Sequence, residues 1–448
     1  MDVDVVVIGL GPGGEHAAIK LAEAGLEVVG IDRRLVGGEC PYYGCVPSKM
    51  MVRAANALTE ARRVGGLAGE VTVTPSWNPV AARIRDQATD DWDDTAAVER
   101  LEKAGVTFVR GHGRLDDERS VTVGNERFTA RRAVVLNTGT EPEIPEIEGL
   151  ADTPFWTNRD AARLESLPST LAVIGGGAIA LELAQALGRF GVQVTVLEAA
   201  DRILPTEEPE SSEIVQDVLV GEGVRVVVGA EIDKVSYADG RFAIGDVTAD
   251  KLLVAAGRRC NLADIGLDTI GLDSSAEVLE TDGHLRVEGG PDWLWAVGDI
   301  TGKGAFTHTA VYQAGIAVRA ILGKPGPEAD YRAVPRVTFT DPEVGSVGIS
   351  EQEARDQGID VHVGKAELEK STRGWIHQAG NEGLIKVVSD GEVLVGATSV
   401  GPMGGEVLSM LATAVHARVP VETLRSMMFA YPTFHRAVEA ALDDLEGA

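Results

Sequence analysis

The sequence predicts an α/β fold in which two Rossmann-like dinucleotide-binding domains are followed by a C-terminal α+β domain. Two glycine-rich strand–loop–helix–strand units, each ending at an acidic residue, predict the first part. A change of pattern after Val334 predicts the second part, because strands such as Arg336–Thr340 there alternate with helices such as Gly405–Ala417. At typical domain sizes, 448 residues make about three domains.

The first unit begins with a buried strand at residues 3–8 and continues into a helix that reaches about Ala24. Its loop has the pattern G-x-G-x-x-G, which allows a tight turn, close approach of a pyrophosphate, and helix–strand packing. The helix N-terminus then faces the anion. A second strand ends at Asp32, whose carboxylate we expect to accept hydrogen bonds from a ribose diol. The three loop glycines are Gly9, Gly11 and Gly14.

The second unit repeats this order with strand Leu171–Ile174, a loop that contains Gly175 and Gly177, and strand Gln193–Leu197. A single glycine pattern is weak evidence, but two complete units in one chain are strong evidence for dinucleotide binding. Glu198 ends the last strand, and a carboxylate there binds a ribose diol and repels a 2′-phosphate. We therefore expect NADH rather than NADPH, although Arg202, four residues on, could favour the phosphate.

Composition and charge exclude several classes of protein. The net charge of −28 argues against nucleic acid or an anionic membrane as partner. No apolar run approaches the roughly 20 residues that span a bilayer, and the N-terminus lacks the basic start of a signal peptide. Three cysteines do not make a structural disulfide framework. We expect a cytoplasmic protein without membrane insertion.

The cysteine segment is the most informative part of the chain. Cys40 and Cys45 are five residues apart, which an ideal helix separates by about 7.5 Å in rise, whereas a disulfide needs Cα atoms about 4.4–6.8 Å apart. A bridge therefore requires a distorted turn, for which Pro41 and Gly44 are suitable. Cys45 lies just before a predicted helix, where its thiolate is stabilised, and Lys49 follows one turn later. We favour a redox-active disulfide over two buried thiols, because the pair directly follows a dinucleotide unit. A metal site is disfavoured because no histidine is near.

This segment resembles the active site of the FAD-dependent pyridine nucleotide–disulfide oxidoreductases, whose signature is G-G-x-C-x-x-x-x-G-C-x-P-S/T/K-K. The resemblance extends in order over nearly the whole chain and implies a homodimer that binds FAD and NAD(P)H. It implies an FAD domain at 1–150 with 271–333, a nucleotide domain at 151–270 and a dimerisation domain at 334–448. Further positions that match its cofactor-binding motifs are Gly38, Thr138, Gly139, Gly257, Asp299, Thr307 and His308.

The resemblance also implies the roles of the catalytic residues. Cys45 would be the thiolate against the flavin, and Cys40 the outer thiol that meets the electron acceptor. Lys49 and Glu182 match a family pair near flavin N5, in which a buried cation keeps a partner. In this family the acceptor site is built from both subunits, so a monomer would be inactive.

The pattern breaks near the C-terminus. Tyr431 and Arg436 stand where many family members have an acid–base histidine and the glutamate that orients it. A phenol is a poor general base at neutral pH but can still donate a hydrogen bond or a proton, so Tyr431 stays a candidate catalytic residue. An arginine accepts no hydrogen bond and cannot orient a base. Mercuric reductases also have a tyrosine there but add a C-terminal cysteine pair, whereas the third cysteine here is Cys260.

Other side chains are weaker candidates for a role at this site. Tyr42 and Tyr43, within the cysteine loop, could shape the acceptor pocket and supply a proton. His435 is as typical of a surface or capping position as of a catalytic one. Methionine on a helix is usually part of the core, which is how we interpret Met427 and Met428.

We therefore predict an NAD(P)H-dependent flavoprotein reductase without a metal site, acting on a small disulfide, a quinone or a metal ion. A dihydrolipoamide dehydrogenase-like enzyme is the alternative within the family. A redox sensor or complex subunit is the alternative from another class, although the complete nicotinamide unit favours an enzyme.

Overall fold

The structure of the protein, a computed structural model, describes residues 1–117 and 119–445. Contacts within the chain define two compact units. The first unit consists of Met1–Pro47, Ala82–Glu143 and Arg258–Tyr331. The second consists of Ser48–Ala81, Ile144–Gly257 and the described chain from Arg332 onward. The boundaries of the three sequence-derived domains stay a prediction.

Helices and strands alternate through most of the chain. The α-helices are α1 (Pro12–Glu23), α2 (Glu39–Tyr42), α3 (Cys45–Arg62), α4 (Asn78–Ala82), α5 (Thr95–Lys103), α6 (Asn158–Ala162), α7 (Ala178–Arg189), α8 (Pro209–Gly221), α9 (Thr307–Ile321), α10 (Glu351–Asp356), α11 (Thr372–His377), α12 (Gly404–His416), α13 (Val421–Arg425) and α14 (Ala437–Asp443). The strands are β1 (Asp2–Ile8), β2 (Val28–Asp32), β3 (Val106–Arg110), β4 (Arg114–Leu115), β5 (Ser120–Val123), β6 (Glu126–Leu136), β7 (Thr140–Pro142), β8 (Thr170–Ile174), β9 (Gln193–Leu197), β10 (Arg225–Val227), β11 (Val235–Ala238), β12 (Arg241–Ile244), β13 (Val247–Ala249), β14 (Lys251–Val254), β15 (Arg258–Cys260), β16 (Leu294–Ala296), β17 (Pro335–Thr338), β18 (Glu343–Gly348), β19 (His362–Glu367), β20 (Leu384–Ser389) and β21 (Leu394–Gly401). Short 3₁₀ helices cover Leu267–Ile270, Asp299–Thr301 and Phe434–Arg436, and a π-helix covers Arg83–Ala88.

The first unit is organised around a seven-stranded sheet. Six of its strands follow the order β3-β2-β1-β6-β5-β4. The seventh, β16, pairs with the last residues of β6, beyond the part of β6 that pairs with β5. Pairs β1–β2, β1–β6, β2–β3 and β6–β16 are parallel. The middle of β1 is buried on both faces, which explains its continuous valine run. Because the parallel strands end at one edge, the loops after β1, β2, β6 and β16 gather there.

The second unit contains the second glycine-rich unit and the C-terminal part of the chain. Strands β10-β9-β8-β14 form a parallel sheet, beside which β11-β12-β13 form a small antiparallel sheet. The C-terminal part forms a five-stranded antiparallel sheet in the order β17-β18-β21-β20-β19. Helices α12 and α14 pack on it around an apolar core. The predicted fold class, two Rossmann-like units plus an α+β domain, is confirmed.

The chain between α3 and β3 is helical in two parts. Helix α4 runs into the π-helix Arg83–Ala88, and α5 begins at Thr95. Asn78 and Pro79 form the first turn of α4, where proline needs no N–H partner. Within the described part of the chain, no helix combines the length and apolar character needed to cross a membrane.

Candidate active site

The cysteine segment of the first unit is a helix broken between its two cysteines. Cys40 lies in α2, and Cys45 is the first residue of α3 rather than the residue before it. The break follows from two N–H groups, those of Tyr43 and Gly44, which both donate to the Glu39 carbonyl. Cys40 is half-buried and Cys45 is exposed. The distorted turn that a Cys40–Cys45 bridge requires is thus present, and the pairing itself stays a prediction.

Gly38 holds this segment against the first glycine-rich loop. Its backbone has φ +71°, and a Cβ there would lie 2.9 Å from the Cα of Gly11. Only glycine tolerates both constraints without strain. The Sγ atom of Cys45 lies 3.9 Å from the hydroxyl of Thr307, the first residue of α9. Cys45 therefore lies beside the start of α9, while Gly38 of the same segment lies against the first glycine-rich loop.

The first glycine-rich loop has the predicted geometry. Gly9 follows β1, Gly11 is the N-cap of α1, and Gly14 lies in the first helical turn. The carboxylate of Asp32 accepts hydrogen bonds from the N–H groups of Leu10 and Arg34, both at 2.7 Å. Burial raises the pKa of Asp32 above its ordinary value, and these hydrogen bonds act in the opposite direction.

Asn137 is a residue whose role the sequence did not reveal. It lies directly after β6. In the orientation that satisfies both amide atoms, its nitrogen donates to the Val297 carbonyl and its oxygen accepts from the Gly14 N–H, both at 3.1 Å. Asn137 therefore connects the ends of β6 and β16 with the first turn of α1.

The start of α9 offers polar groups that fit a bound cofactor. Helix α9 begins at Thr307, and the His308 ring stacks on Phe306 with centroids 5.2 Å apart. The hydroxyl of Thr309 is buried and has no hydrogen-bond partner among the described residues. A polar ligand group could satisfy it, so this helix start fits the predicted flavin site.

The connection between β6 and β7 carries the next predicted cofactor residues. Thr138 donates its hydroxyl to the Asn261 carbonyl at 2.8 Å, and the Asn261 N–H donates to the Gly139 carbonyl at 2.9 Å. Asp299 opens the 3₁₀ turn after β16, and its carboxylate accepts from the Thr140 hydroxyl at 2.6 Å. These residues are held together within the first unit.

The second glycine-rich loop lies in the second unit. Gly175 has φ +111°, and a Cβ there would lie 2.3 Å from the Ala255 carbonyl oxygen, so this position requires glycine. Gly177 is the N-cap of α7, and a Cβ on it would meet open space. The helix N-terminus thus presents N–H groups with room beside them, which fits a pyrophosphate. Gly257 lies between β14 and β15.

The carboxylate of Glu198 is fixed beside this loop. It accepts hydrogen bonds from the N–H of Gly176 and, at 2.7 Å, from the N–H of Ala200. The guanidinium of Arg202 turns to its own loop, where it donates to the carbonyls of Leu204 and Pro205 at 2.9 and 2.6 Å. The acidic residue is therefore presented at the end of β9, while the arginine is occupied elsewhere.

Lys49 and Glu182 form the predicted ion pair, with Nζ 2.6 Å from Oε2. Glu182 is buried, and its second oxygen accepts the N–H of Phe339 at 2.9 Å. The Lys49 ammonium also lies 4.5 Å from the centroid of the Phe339 ring. The sequence did not indicate that Phe339 supports both members of the pair.

The C-terminal segment leaves Tyr431 on the surface of the second unit. Its side chain is 64% exposed, and its hydroxyl donates to Thr372 at 3.3 Å. The Arg436 guanidinium lies over the Tyr431 ring at 5.2 Å and pairs with Glu439, so it does not orient a base. The ring of His435 packs against Phe429.

The weaker candidates fall into different environments. Tyr42 is buried. Burial, and to a smaller extent the nearby Asp94 carboxylate, raises the pKa of its hydroxyl, which makes Tyr42 a poor proton donor. Cys260 is half-buried, and its thiol lies 3.8 Å from the Asp299 carbonyl. Met428 is 99% exposed and Met427 41% exposed, so our interpretation of them as core residues was wrong for this chain. Within residues 1–117 and 119–445, no group of three potential metal ligands occurs.

Comparisons with known proteins agree with this geometry. The family model for pyridine nucleotide-disulphide oxidoreductases matches residues 3–314, and its dimerisation domain matches residues 334–442. A mercuric reductase from Acidithiobacillus ferrooxidans is 35% identical, with 98% of this chain and 82% of that protein aligned. A dihydrolipoyl dehydrogenase from Halobacterium salinarum is 32% identical over 99% of this chain and 96% of that protein. Among solved structures, the HOCl-induced flavoprotein disulfide reductase RclA from Escherichia coli is 25% identical, with a TM-score of 0.84 over 99% of each chain.

Proposed function

The chain belongs to the pyridine nucleotide-disulphide oxidoreductase family, and from that premise we propose that it is an NADH-dependent reductase acting through Cys40 and Cys45. Enzymes of this family use FAD and a pyridine nucleotide, so the predicted enzyme class and cofactors are confirmed. Bound FAD supplies two-electron transfer from the nicotinamide to the cysteine pair. The match to the dimerisation domain supports a homodimer. A cytoplasmic location stays a prediction.

The position of Cys45 is the observation that carries this proposal. As the first residue of α3, it meets the N–H groups and the positive end of an 18-residue helix, which stabilise a thiolate. Cys45 is exposed, and its sulfur lies 3.9 Å from the hydroxyl of Thr307, at the helix start predicted to face the flavin. Cys40, one broken turn earlier, can exchange with Cys45 and pass the electrons to an acceptor.

The choice of NADH over NADPH rests on Glu198. Its fixed carboxylate can accept hydrogen bonds from a ribose diol and would repel a 2′-phosphate. Arg202, the residue that could have reversed this preference, donates to Leu204 and Pro205 instead. Glu198→Gln removes the repulsion and keeps the shape, so we expect the preference for NADH over NADPH to fall in this variant.

For the acceptor, we propose a quinone or a thiophilic metal ion rather than a small disulfide. Reduction of a disulfide releases a thiolate that must be protonated, and relatives with a histidine have a group for this step. Here Tyr431 takes that position without an orienting carboxylate, since Arg436 lies over its ring. Among the relatives, the 35% identity to a mercuric reductase supports a metal acceptor.

Anaerobic titration of the purified flavoprotein with NADH, then NADPH, tests the electron path. Wild type should take up two electrons with a long-wavelength thiolate-to-flavin band and need two more to bleach the flavin. Cys40→Ser should lose the two-step behaviour, whereas Cys260→Ser, the third cysteine, should keep it. Direct bleaching in all three proteins would mean that the pair does not carry electrons and would overturn the proposal.

A second experiment tests the acceptor class. Two-electron-reduced enzyme is mixed with a small symmetrical disulfide, a benzoquinone or Hg²⁺, and reoxidation is followed by absorbance. We expect slow reoxidation by the disulfide, accelerated by the double substitution Tyr431→His with Arg436→Glu. Rapid reoxidation of wild type by the disulfide, or rapid turnover of dihydrolipoamide with NAD⁺, would contradict the proposed acceptor class and favour a disulfide reductase or dihydrolipoamide dehydrogenase.

A further inference from the structure

Arg258 and Thr140 form a hydrogen-bond relay that ends at Asp299, and we propose that Arg258 is a positioning residue which holds this carboxylate for the flavin through Thr140. The inference rests on the proposed function, because Asp299 is the residue predicted to bind the ribityl chain. It assigns a role to two side chains that the matched motifs leave without one.

The relay has a fixed direction. Arg258 Nε donates to the Thr140 hydroxyl oxygen at 2.8 Å, and the Thr140 hydroxyl donates to Asp299 Oδ2 at 2.6 Å. A threonine hydroxyl has a single proton, so a guanidinium that cannot accept leaves this proton for the carboxylate. The 2.6 Å separation is within the range of charge-assisted O–H···O⁻ hydrogen bonds. Arg258 Nη2 also donates to the Thr140 carbonyl at 3.0 Å, which makes the contact bidentate.

The local strand pairing explains why Arg258, and not its neighbour, faces the carboxylate. Strands β7 and β15 are antiparallel, with Cys260 opposite Thr140, so Arg258 is the diagonal neighbour of Thr140 on one face. Arg259 points to the other face and pairs with Glu141 at 2.7 Å. The side chain of Arg258 is 21% exposed and that of Arg259 is 69% exposed.

The relay holds one oxygen of the carboxylate and leaves the other for a ligand. Among the described residues, the hydrogen bond to the Asp299 side chain is made to Oδ2 by Thr140. Thr140 is buried, so the bond is shielded from water and cannot easily be replaced by it. Oδ1 thus keeps a fixed direction and can accept from a hydroxyl of the ribityl chain.

The same guanidinium extends toward the cysteine segment. Arg258 Nη2 lies 3.8 Å from Glu39 Oε2, and Glu39 directly precedes Cys40. At this distance the ion pair is weaker than the contacts to Thr140. We therefore expect loss of Arg258 to act mainly on flavin retention and only secondarily on the cysteine pair.

The test measures release of FAD from the purified holoenzyme, followed as the rise in flavin fluorescence after dilution. Thr140→Val removes the hydroxyl at nearly constant volume, and Arg258→Met removes the donor. Because each removes a hydrogen bond to a charged group or its support, we expect release to be about 10- to 100-fold faster in both. Thr140→Ser, which restores the hydroxyl, and Arg259→Met, the matched charge removal on the other face, should remain within about threefold of wild type.

Release at the wild-type rate in Thr140→Val or in Arg258→Met would overturn the inference, as would equal acceleration in Thr140→Ser or Arg259→Met. If Arg258→Met fails to fold, Arg258→Lys, which keeps the charge but cannot make the bidentate contact to Thr140, decides the role of Arg258. The outcome is independent of the electron path, because FAD release is measured without NADH and without an electron acceptor. A failed NADH titration combined with faster release in Thr140→Val would therefore overturn the proposed function and leave the relay intact.

Discussion

Lys386 holds together the acidic residues that join α8 and α10 to the C-terminal sheet. Its side chain on β20 is only 2% exposed, and Nζ lies 2.7 Å from Glu208, 2.9 Å from Glu351 and 3.1 Å from Glu210. Lys386→Met keeps a side chain of similar length but removes the charge. We expect this substitution to destabilise the second unit strongly, because it leaves buried carboxylates without their cation.

The size of the destabilisation depends on which carboxylates keep another cation when Lys386 is replaced. Glu210 and Glu351 are 26% and 27% exposed, and each keeps a second cation, Lys365 for the former and Arg355 for the latter. Glu208 is 4% exposed, and no other cation among the described residues contacts it. Lys386→Met therefore leaves one buried carboxylate, rather than three, without a cation. Breaking one buried ion pair costs about 3–5 kcal/mol.

The effect should depend on pH with a definite sign. The hydrogen bond from Lys386 is the main cause that lowers the pKa of Glu351. A carboxyl with a lowered folded-state pKa contributes stability that is present above its unfolded-state pKa and is lost as pH falls through the folded-state value. The difference between wild type and Lys386→Met should thus be largest near neutral pH and shrink below about pH 4, near the pKa of an unfolded glutamate.

Hydrogen–deuterium exchange of peptides from β20 and α10 measures this cost locally, without assuming that the whole chain unfolds in two states. A loss of about 3–5 kcal/mol corresponds to exchange roughly 160-fold to 5,000-fold faster. Lys370→Met, which removes a 76%-exposed lysine paired with Glu367, is the control and should change exchange less than about fivefold. If Lys386→Met changed exchange no more than this control, the argument from buried charge would be refuted.

Three further expectations concern the cofactor sites. Gly175→Ala should impair folding, because its Cβ would lie 2.3 Å from a carbonyl oxygen, whereas Gly177→Ala should fold normally and bind NADH more weakly. Thermal unfolding and NADH titration distinguish the two variants, and equal unfolding temperatures would contradict this expectation. Glu182→Gln should raise the flavin reduction potential, because the Lys49 ammonium then lacks its carboxylate and favours the reduced flavin. The expected rise is about 30 mV for each 1.4 kcal/mol of this effect. A lower or unchanged potential in a dye-equilibration assay would be evidence against the role of this ion pair beside the flavin. Finally, the affinity for NADH should not fall between 50 and about 200 mM NaCl, because screening weakens the repulsion from a net charge of −28; a steep fall would indicate a cationic binding surface instead.

The glycine-rich loops could be predicted from the sequence because their constraints are local. The tight turn at Gly175 and the helix that starts after Gly177 depend on residues within one strand–loop–helix unit. The break between Cys40 and Cys45 was foreseeable for the same reason, since an ideal helix separates them too far for a bridge.

Other features could not be predicted because they depend on residues far apart in the chain. The partners of the Arg258 relay are Thr140, 118 positions away, and Asp299, which is on a different strand–loop connection. Phe339 reaches Glu182 across 157 positions. Hydrophobic periodicity and motif spacing carry no information on such contacts, because both describe neighbours in sequence.

The groups around the two glycine-rich loops indicate how so acidic a chain could bind two dinucleotides. Two arginines of these regions are already engaged, Arg202 with backbone carbonyls and Arg258 with Thr140. A dinucleotide would meet N–H groups at the starts of α1 and α7, together with the carboxylates of Asp32 and Glu198. N–H groups can bind the pyrophosphate that both cofactors share, and the carboxylates can bind an unmodified ribose. In the proposed assignment, one loop would therefore bind FAD and the other NADH, and the carboxylate of Glu198 would disfavour NADPH by charge.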